Sequence, residues 1–142
     1  MCKEIRINVF EIKDYDNVYK LWEEIFPDST DSSYSKEQIE LFLSRNPGAS
    51  FFAEIDGKVV GAVLAGYDGR RGYIHHLGVL ESYRRKNIGK MLMDKAEEAL
   101  RNAGMNKVHL FVFKDNINAK AFYNNIGFKQ RYDLDMFSKA LK

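Results

Sequence analysis

The chain has 142 residues and a formal net charge of +2, from 22 lysines and arginines against 20 aspartates and glutamates. Hydrophobic residues make up 45% of the chain and charged residues 30%, which is typical of a globular protein and excludes a disordered one. The balanced charge argues against a nucleic-acid partner, and the single cysteine excludes an internal disulfide and a thiolate metal site. We therefore expect one domain over residues 1–142, with no metal.

The location of the protein is predicted from its apolar runs. Charged residues interrupt the N-terminus before an apolar stretch forms, which is unlike a secretory signal. Apolar runs such as residues 59–65 are far shorter than the roughly 20 residues that cross a bilayer. We expect a cytoplasmic protein without a membrane partner.

The first third of the chain predicts a strand followed by two helices. Residues 5–10 alternate loosely, as in a strand, and a helical stripe follows that Pro27 ends. Ser35 and Gln38 have the spacing of a capping box, which predicts a second helix that stops before Pro47. The apolar positions of the first helical stripe are Val18, Leu21, Trp22, Ile25 and Phe26.

The middle of the chain predicts three antiparallel strands. These strands cover residues 50–55, 58–67 and 73–80, with turns at Asp56-Gly57 and at residues 68–72.

The remaining part predicts two helices that alternate with two strands. A long helix begins at Ile88 and stops at Gly104, and the strand 108–113 follows. A shorter helix ends at Gly127 and leads to a final strand over 128–137. This order of elements predicts a mixed α/β (α+β) sheet with helices on its faces.

A basic turn lies where the third antiparallel strand meets the long helix. Free N–H groups and the helix dipole favour an anion at a helix N-terminus, and a glycine lets a phosphate approach the backbone. The charged side chains at this turn are Arg84, Arg85, Lys86 and Lys90. The alternative is an ordinary solvated helix start, because a short motif alone is weak evidence.

The same turn resembles a motif of a known enzyme family. Residues 84–89 are similar to motif A of the GNAT superfamily of N-acetyltransferases, Arg/Gln-x-x-Gly-x-Gly/Ala. Asn87 replaces the first glycine, and asparagine tolerates the left-handed backbone better than most residues. Residues 116–128 resemble the family's Asn-x-x-Ala-x-x-Phe-Tyr-x-x-x-Gly-Phe block, and the order of elements along the chain is similar as well.

The resemblance implies a fold, a cofactor and a set of cofactor contacts. The fold would be a mostly antiparallel central sheet of about six strands with helices on both faces, in which strands 73–80 and 107–113 splay apart. The cofactor would be acetyl-CoA, whose acetyl group passes to a primary amine. The matching contact positions are Leu77, Gly78, Val79, Arg84, Arg85, Lys86, Asn87, Ile88, Gly89, Lys90 and Asn116.

Direct attack of an amine on the thioester requires a proton acceptor and a proton donor. Tyr123 matches the family's general-acid position, and the alternative for this residue is core packing beside Phe122. Some relatives carry a glutamate base on the strand before the Asn motif, but residues 110–113 contain no carboxylate. Other relatives carry a histidine or glutamate on the strand before the phosphate turn, where this chain has His75. It is the candidate base because histidine titrates nearest to neutral pH, with a purely structural role as the alternative and Glu81 as a further candidate.

Strand alternation predicts which side chains share a face with His75. It places Tyr73, His75 and Leu77 on one face, and Ile74 with His76 on the other.

The acceptor and the oligomeric state are less determined by the sequence. The acceptor would be a small-molecule or peptide amine, and Asp28 and Asp31 would suit a cationic one. The final strand is a candidate for pairing across a homodimer. A sensor that binds acyl-CoA without chemistry is the alternative function, because the strand carboxylate is missing.

Overall fold

The computed structural model describes residues 4–27 and 34–142. The chain forms two compact units, Met1–Phe111 and Val112–Lys142. The expectation of one domain over the whole chain stays a prediction. Cys2, Asp28 and Asp31 lie outside the described residues, so the structure does not bear on them.

The first unit is built on a mixed sheet, as the sequence predicted. Within the described residues its order is β1-β2-β3-β4-β5, antiparallel throughout except for the parallel pair β4 and β5. The strands are β1 Arg6–Val9, β2 Phe51–Ile55, β3 Lys58–Tyr67, β4 Gly72–Val79 and β5 Val108–Leu110.

The helices begin and end close to the predicted residues. They are α1 Tyr15–Ile25, α2 Lys36–Arg45, α3 Ile88–Asn102 and α4 Ile117–Asn125. The Ser35 side chain accepts a hydrogen bond from the Gln38 N–H at 3.3 Å, so the predicted N-terminal cap of α2 is present. Gly104 has φ +96°, the left-handed conformation that terminates helices, and follows the end of α3. No helix in the described part of the chain is long and apolar enough to cross a membrane.

The sheet of the first unit is covered on both faces. A Cβ added to Gly78 would lie 2.7 Å from Phe26 and 3.2 Å from Ile25, which places the end of α1 on one face. A Cβ at Gly66 would lie 2.9 Å from Phe42 of α2 on the same face. A Cβ at Gly61 would lie 3.2 Å from Leu92 of α3, which packs on the opposite face. On the α3 face, Ile88, Leu92, Met93, Ala96 and Leu100 are at most 2% exposed.

The predicted final strand over 128–137 is wrong, and the sheet has five described strands instead of about six. Among the described residues, no backbone–backbone hydrogen bond involves residues 129–142. Tyr132 and Leu134 do stand between charged residues in the sequence, but both side chains are exposed. A strand also requires a backbone partner, which a sequence pattern does not supply.

The strand predicted over 108–113 is also shorter in the structure. β5 ends at Leu110, and Phe111 is 68% exposed. Its pairing with β4 stops at Ile74, one residue before an irregularity in β4. Such irregularities raise the local twist of a strand, which accounts for the end of the parallel pair. The two strands are therefore paired only over 72–74 and 108–110.

Candidate active site

The turn between β4 and α3 presents a run of unpaired backbone amides. Arg85 and Asn87 have φ values of 67° and 64°, both in the left-handed region. Left-handed residues in a turn direct successive N–H groups toward a common point, which forms an anion-binding concavity. No hydrogen bond to another described residue engages the N–H groups of residues 85–90. The first amide of α3 that finds a partner is Met91, which donates to the Asn87 carbonyl at 2.9 Å.

The left-handed conformation expected for Asn87 is confirmed. The left-handed conformation of Arg85 was not predicted from the sequence. Asparagine reaches this region readily, whereas arginine has no such preference, so the sequence offered no signal at position 85. A strained residue that persists at a turn points to a function for that turn. Gly89 lies in the first turn of α3, where the absence of a side chain keeps the amides accessible.

The basic side chains of this turn are mostly held by neighbours. Arg85 is exposed at the turn, with its guanidinium available for a phosphate. The contacts of the other three are Arg84 Nε to the Val79 carbonyl at 3.1 Å, Lys86 Nζ to the Tyr83 ring centre at 5.4 Å, and Lys90 Nζ to Asp94 Oδ2 at 2.9 Å.

An open cleft of about 560 Å³ lies beside Arg84 but does not suit a phosphate. Its lining includes the carboxylates Glu24 and Glu81 as well as Lys58. These carboxylates offset the charges of Lys58 and Arg84, which also lines the cleft, whereas the amides of 85–90 carry only positive partial charge. Glu81 thus lies in a mixed-charge cleft at the end of β4.

Beyond Ile74, β4 is flanked on only one side by a described strand. Its residues 76–79 pair with β3 and not with β5, and His75 pairs with neither strand, so the second backbone edge of this stretch is open. Leu77 and Val79 lie on this stretch, as the resemblance implied. Gly78 has a packing role as well, because a side chain there would collide with Phe26.

A bulge in β4 makes the predicted alternation wrong in part: Tyr73 and His75 lie together as predicted, but the residues after the bulge change faces. In the register with β3, His76 lies opposite Leu64 and Ile74 lies opposite Ala65, which leaves His75 without an opposing residue. The extra residue reverses the faces that follow it, so Tyr73 shares a face with His76, and Ile74 shares a face with Leu77. Nothing in the sequence signals a bulge here.

His76 is enclosed by aromatic rings of the α1 side. Its Nδ1 is 3.2 Å from the Tyr34 hydroxyl, and the Phe26 ring centre is 4.3 Å away. The Trp22 ring meets it edge-on at 5.4 Å, and the buried Trp22 Nε1 has no hydrogen-bond partner among the described residues. Burial lowers the pKa of His76 to about 4, so its imidazole is neutral near pH 7.

His75 lies nearer to solvent on the same face. Its ring is 5.3 Å from Phe42 in an edge-on contact and 6.0 Å from Tyr73 in a stacked one. These neighbours partly remove the imidazole from water, and burial lowers the pKa of His75 below its usual value. The residue as a whole is exposed, so the imidazole remains accessible. A neutral, accessible imidazole can accept a proton.

The second unit contains the other two predicted site residues. Asn116 caps α4, since its Oδ1 accepts from the Ala119 N–H at 3.1 Å, and its amide nitrogen remains as a donor. Tyr123 is half-buried between Phe122 and Phe128, with ring centres 5.2 and 5.7 Å away. Burial raises the pKa of Tyr123 to about 12, so the phenol stays protonated at physiological pH.

Comparisons with known proteins found chains of similar sequence and chains of similar fold. The chain is 31% identical over 139 residues to acetyltransferase SG1711 of Sodalis glossinidius, covering 96% of both chains. It is 32% identical over 127 residues to acetyltransferase ECA0875 of Pectobacterium atrosepticum, covering 88% of both. Its fold is similar to that of the aminoglycoside N-acetyltransferase AAC(6')-Iy in complex with CoA, with a TM-score of 0.83, 18% identity and coverage of 98% and 97%.

The family follows from a match that spans most of the chain. The model of the acetyltransferase (GNAT) family matches residues 15–128, which include the amide-lined turn, the bulged strand and the Asn116 block. The chain therefore belongs to the GNAT family of acetyltransferases, and its activity is the transfer of an acetyl group from acetyl-CoA to an amine.

Proposed function

We propose that the diphosphate of acetyl-CoA binds the N–H groups of residues 85–90 and that a primary amine attacks the thioester directly. The unpaired run of amides at the start of α3 is the observation that carries this assignment. Backbone donors bound to phosphate oxygens form charge-assisted hydrogen bonds, which are stronger than neutral ones. Arg85 and the other basic side chains of the turn add a favourable field around the diphosphate.

The pantetheine arm would extend from the turn along the open edge of β4. The amide groups of the arm can pair with backbone groups of residues 77–79 as an added strand would. Asn116 would contribute its free amide nitrogen from the cap of α4. In this arrangement the thioester lies near the point where β4 and β5 separate, beside His75.

His75 is proposed as the proton acceptor for the amine. Its ring lies at the bulge, is accessible, and is neutral because burial lowers its pKa. Glu81 is less suitable because it lines the cleft beside Arg84 at the far end of β4.

Tyr123 is proposed as the donor to the departing sulfur. With a pKa of about 12 it cannot fully protonate a thiolate whose reference pKa is near 8.5, since that transfer is uphill at equilibrium. Its role is thus to donate a hydrogen bond as negative charge develops on sulfur. The thiolate is then protonated with the proton that the attacking nitrogen loses to His75 as the amide forms.

The acceptor would be an amine on a small molecule or a peptide. Solved proteins of similar fold include the aminoglycoside enzyme above and the PaiA N-acetyltransferase of Thermoplasma acidophilum in complex with coenzyme A. A coenzyme-binding sensor without chemistry is less well supported, because the chain supplies a candidate proton acceptor, His75, and a candidate hydrogen-bond donor to the departing sulfur, Tyr123. A cytoplasmic location, without nucleic-acid or membrane partners, is also our proposal.

A homodimer would form through the C-terminal tail, residues 128–142. Aligned antiparallel about Tyr132, two tails place Arg131 opposite Asp133 of the second copy, and Lys129 opposite Asp135. The Arg131 and Asp133 side chains of one copy already share a face, with Nη2 and Oδ2 2.8 Å apart. The other face would bring together exposed apolar side chains, including Leu134 at 61% and Tyr132 at 85%. Opposite charges across paired strands contribute about 0.2–1 kcal/mol per pair.

The test of the function is release of coenzyme A from acetyl-CoA with a panel of amines. The panel contains a polyamine, amino acids, an aminoglycoside and peptide N-termini, with calorimetric binding of coenzyme A measured in parallel. We expect binding and turnover with at least one class. Binding without turnover on the whole panel would favour the sensor, and no binding would contradict the cofactor site.

A further inference from the structure

Four rings form a continuous row on the face of the sheet that carries α1 and α2. Phe42, Tyr73, His75 and His109 are called the aromatic row here. The distances between ring centres are 5.3 Å for Phe42 and His75, 6.0 Å for His75 and Tyr73, and 5.7 Å for Tyr73 and His109. None of the four is buried, so the row is a surface that a ligand can touch.

The row is held in place by specific contacts. Phe42 lies over Gly66, where even a methyl group would come within 2.9 Å of the ring. Asn46 fixes the end of α2, since its Nδ2 donates to the Phe42 carbonyl at 3.1 Å and its Oδ1 accepts from the Tyr67 N–H at 2.9 Å. His75 lies beside Tyr73 on this face, as strand alternation predicted, and the bulge leaves it without an opposing residue on β3. Such positioning lowers the entropy lost when a flat ligand binds.

The position of the row coincides with the end of the proposed cofactor arm. From Val79 to His75 the strand covers about 13 Å, at about 3.3 Å per residue. An arm that starts at the amides of 85–90 and follows β4 therefore delivers its reactive end close to His75. Pairing between β4 and β5 stops at Ile74, so the sheet opens at this level.

Only one face of the sheet is accessible at this point. On the α3 side, Ile74 is 5% exposed, and a Cβ at Gly72 would lie 2.9 Å from Leu100. The amine must therefore approach from the side of the aromatic row. The group that carries the amine then rests on these rings.

The chemistry of the row favours a flat, weakly charged group over a polycation. A nearby carboxylate would raise the pKa of a histidine, whereas for His75 burial lowers it with no such contribution from the described residues. Polycations need several carboxylates for binding, while aromatic faces and edges attract other aromatic rings.

We propose that the aromatic row is the acceptor subsite and that it selects amines carried on an aromatic ring, such as arylalkylamines. This assignment rests on the proposed function, because it assumes that the thioester lies beside His75.

The experiment compares three acceptors at saturating acetyl-CoA, using the whole chain. 2-Phenylethylamine and 2-cyclohexylethylamine have the same skeleton and differ in aromaticity, and spermidine is the polycation. We expect kcat/KM for 2-phenylethylamine to be about three- to tenfold higher than that for 2-cyclohexylethylamine. Its excess over kcat/KM for spermidine should be larger still. Equal values for the first two amines, or a preference for spermidine, would overturn the proposal.

Substitutions at Tyr73 test whether the row is responsible. Tyr73→Leu should reduce the phenyl-to-cyclohexyl ratio to about one, through KM, while Tyr73→Phe retains it because the ring remains. Tyr19→Leu on α1 is the matched control and should leave the ratio unchanged. A ratio that survives Tyr73→Leu contradicts the assignment. Turnover only with peptides or an aminoglycoside would contradict this subsite but not the proposed function. No turnover with any amine would contradict both.

Discussion

His75 and His76 are adjacent in sequence, yet both side chains lie on the face of β4 that carries α1 and α2. His75 contacts Phe42 of α2, and His76 contacts Phe26 at the end of α1. The bulge that allows this leaves one histidine accessible and encloses the other. Because their surroundings differ, His75 is the candidate proton acceptor and His76 is a structural residue.

The enclosed histidine makes stability depend on pH. The folded pKa of His76 is about 4, below the unfolded value near 6.5, so between these values the unfolded chain binds a proton that the folded chain does not. The free energy of unfolding should therefore fall by up to about 3 kcal/mol as the pH drops from 6.5 to 4. Urea unfolding of the wild type and of His76→Phe between pH 6.5 and 4 measures this fall in the free energy of unfolding. His75→Phe, the control, should keep most of the decline, and an equal decline in His76→Phe would refute the assignment.

The accessible histidine should govern the acidic limb of catalysis. Because the pKa of His75 lies below its usual value, kcat/KM should rise with pH and reach its plateau with an apparent pKa below about 6.5. His75→Gln should lower kcat at least about 100-fold and remove this limb. Stopped assays from pH 5 to 9 provide the profile, and a limb that persists in the variant would show that another group accepts the proton.

Tyr123→Phe should separate a catalytic role from a packing role. Loss of the hydroxyl should lower kcat by about 10²–10³-fold, as for removal of one donor to a developing charge, while coenzyme A affinity changes less than about twofold. The phenol should not titrate below pH 10, because burial raises its pKa to about 12. Calorimetry and steady-state kinetics on the same preparations decide the matter. A parallel loss of affinity would make Tyr123 structural.

The left-handed turn should tolerate glycine and reject a β-branched residue. Asn87→Gly should bind coenzyme A within about twofold of wild type, because glycine adopts φ 64° without strain. Asn87→Val should weaken binding about tenfold or more, since valine in this region costs about 1–2 kcal/mol or displaces the amides. Isothermal titration gives the dissociation constants, and circular dichroism checks folding. Equal binding by both variants would mean that the turn geometry does not hold the diphosphate.

Charge reversal in the tail should control association. K129D/R131D makes the charged face of the tail wholly acidic and D133K/D135K makes it wholly basic, so each variant alone should be monomeric. Mixed in equal amounts, they should form a heterodimer, because every facing pair is then opposite in sign. Sedimentation velocity at low salt measures the species. A wild type that stays monomeric at 100 μM, or a dimer unaffected by either variant, would exclude tail pairing.

Local patterns in the sequence predicted much of the architecture. The stripe with Trp22, the cap at Ser35 and the stop at Gly104 depend on neighbours within a few residues, so they could be read without a structure. The anion-binding turn was predicted for the same reason, because it combines a strand end, a helix start and basic side chains.

Tertiary structure alone decided the details of the site. The bulge at His75 and the contact of Phe26 with Gly78 depend on how β3 and α1 lie against β4, and no sequence signal marks the left-handed Arg85. The strand predicted over 128–137 was wrong for a related reason. A strand needs a second chain segment to pair with, and the sequence of one segment does not supply it. Sequence determines which conformations each segment favours locally, whereas a side chain's face, exposure and pKa depend on residues that are distant along the chain.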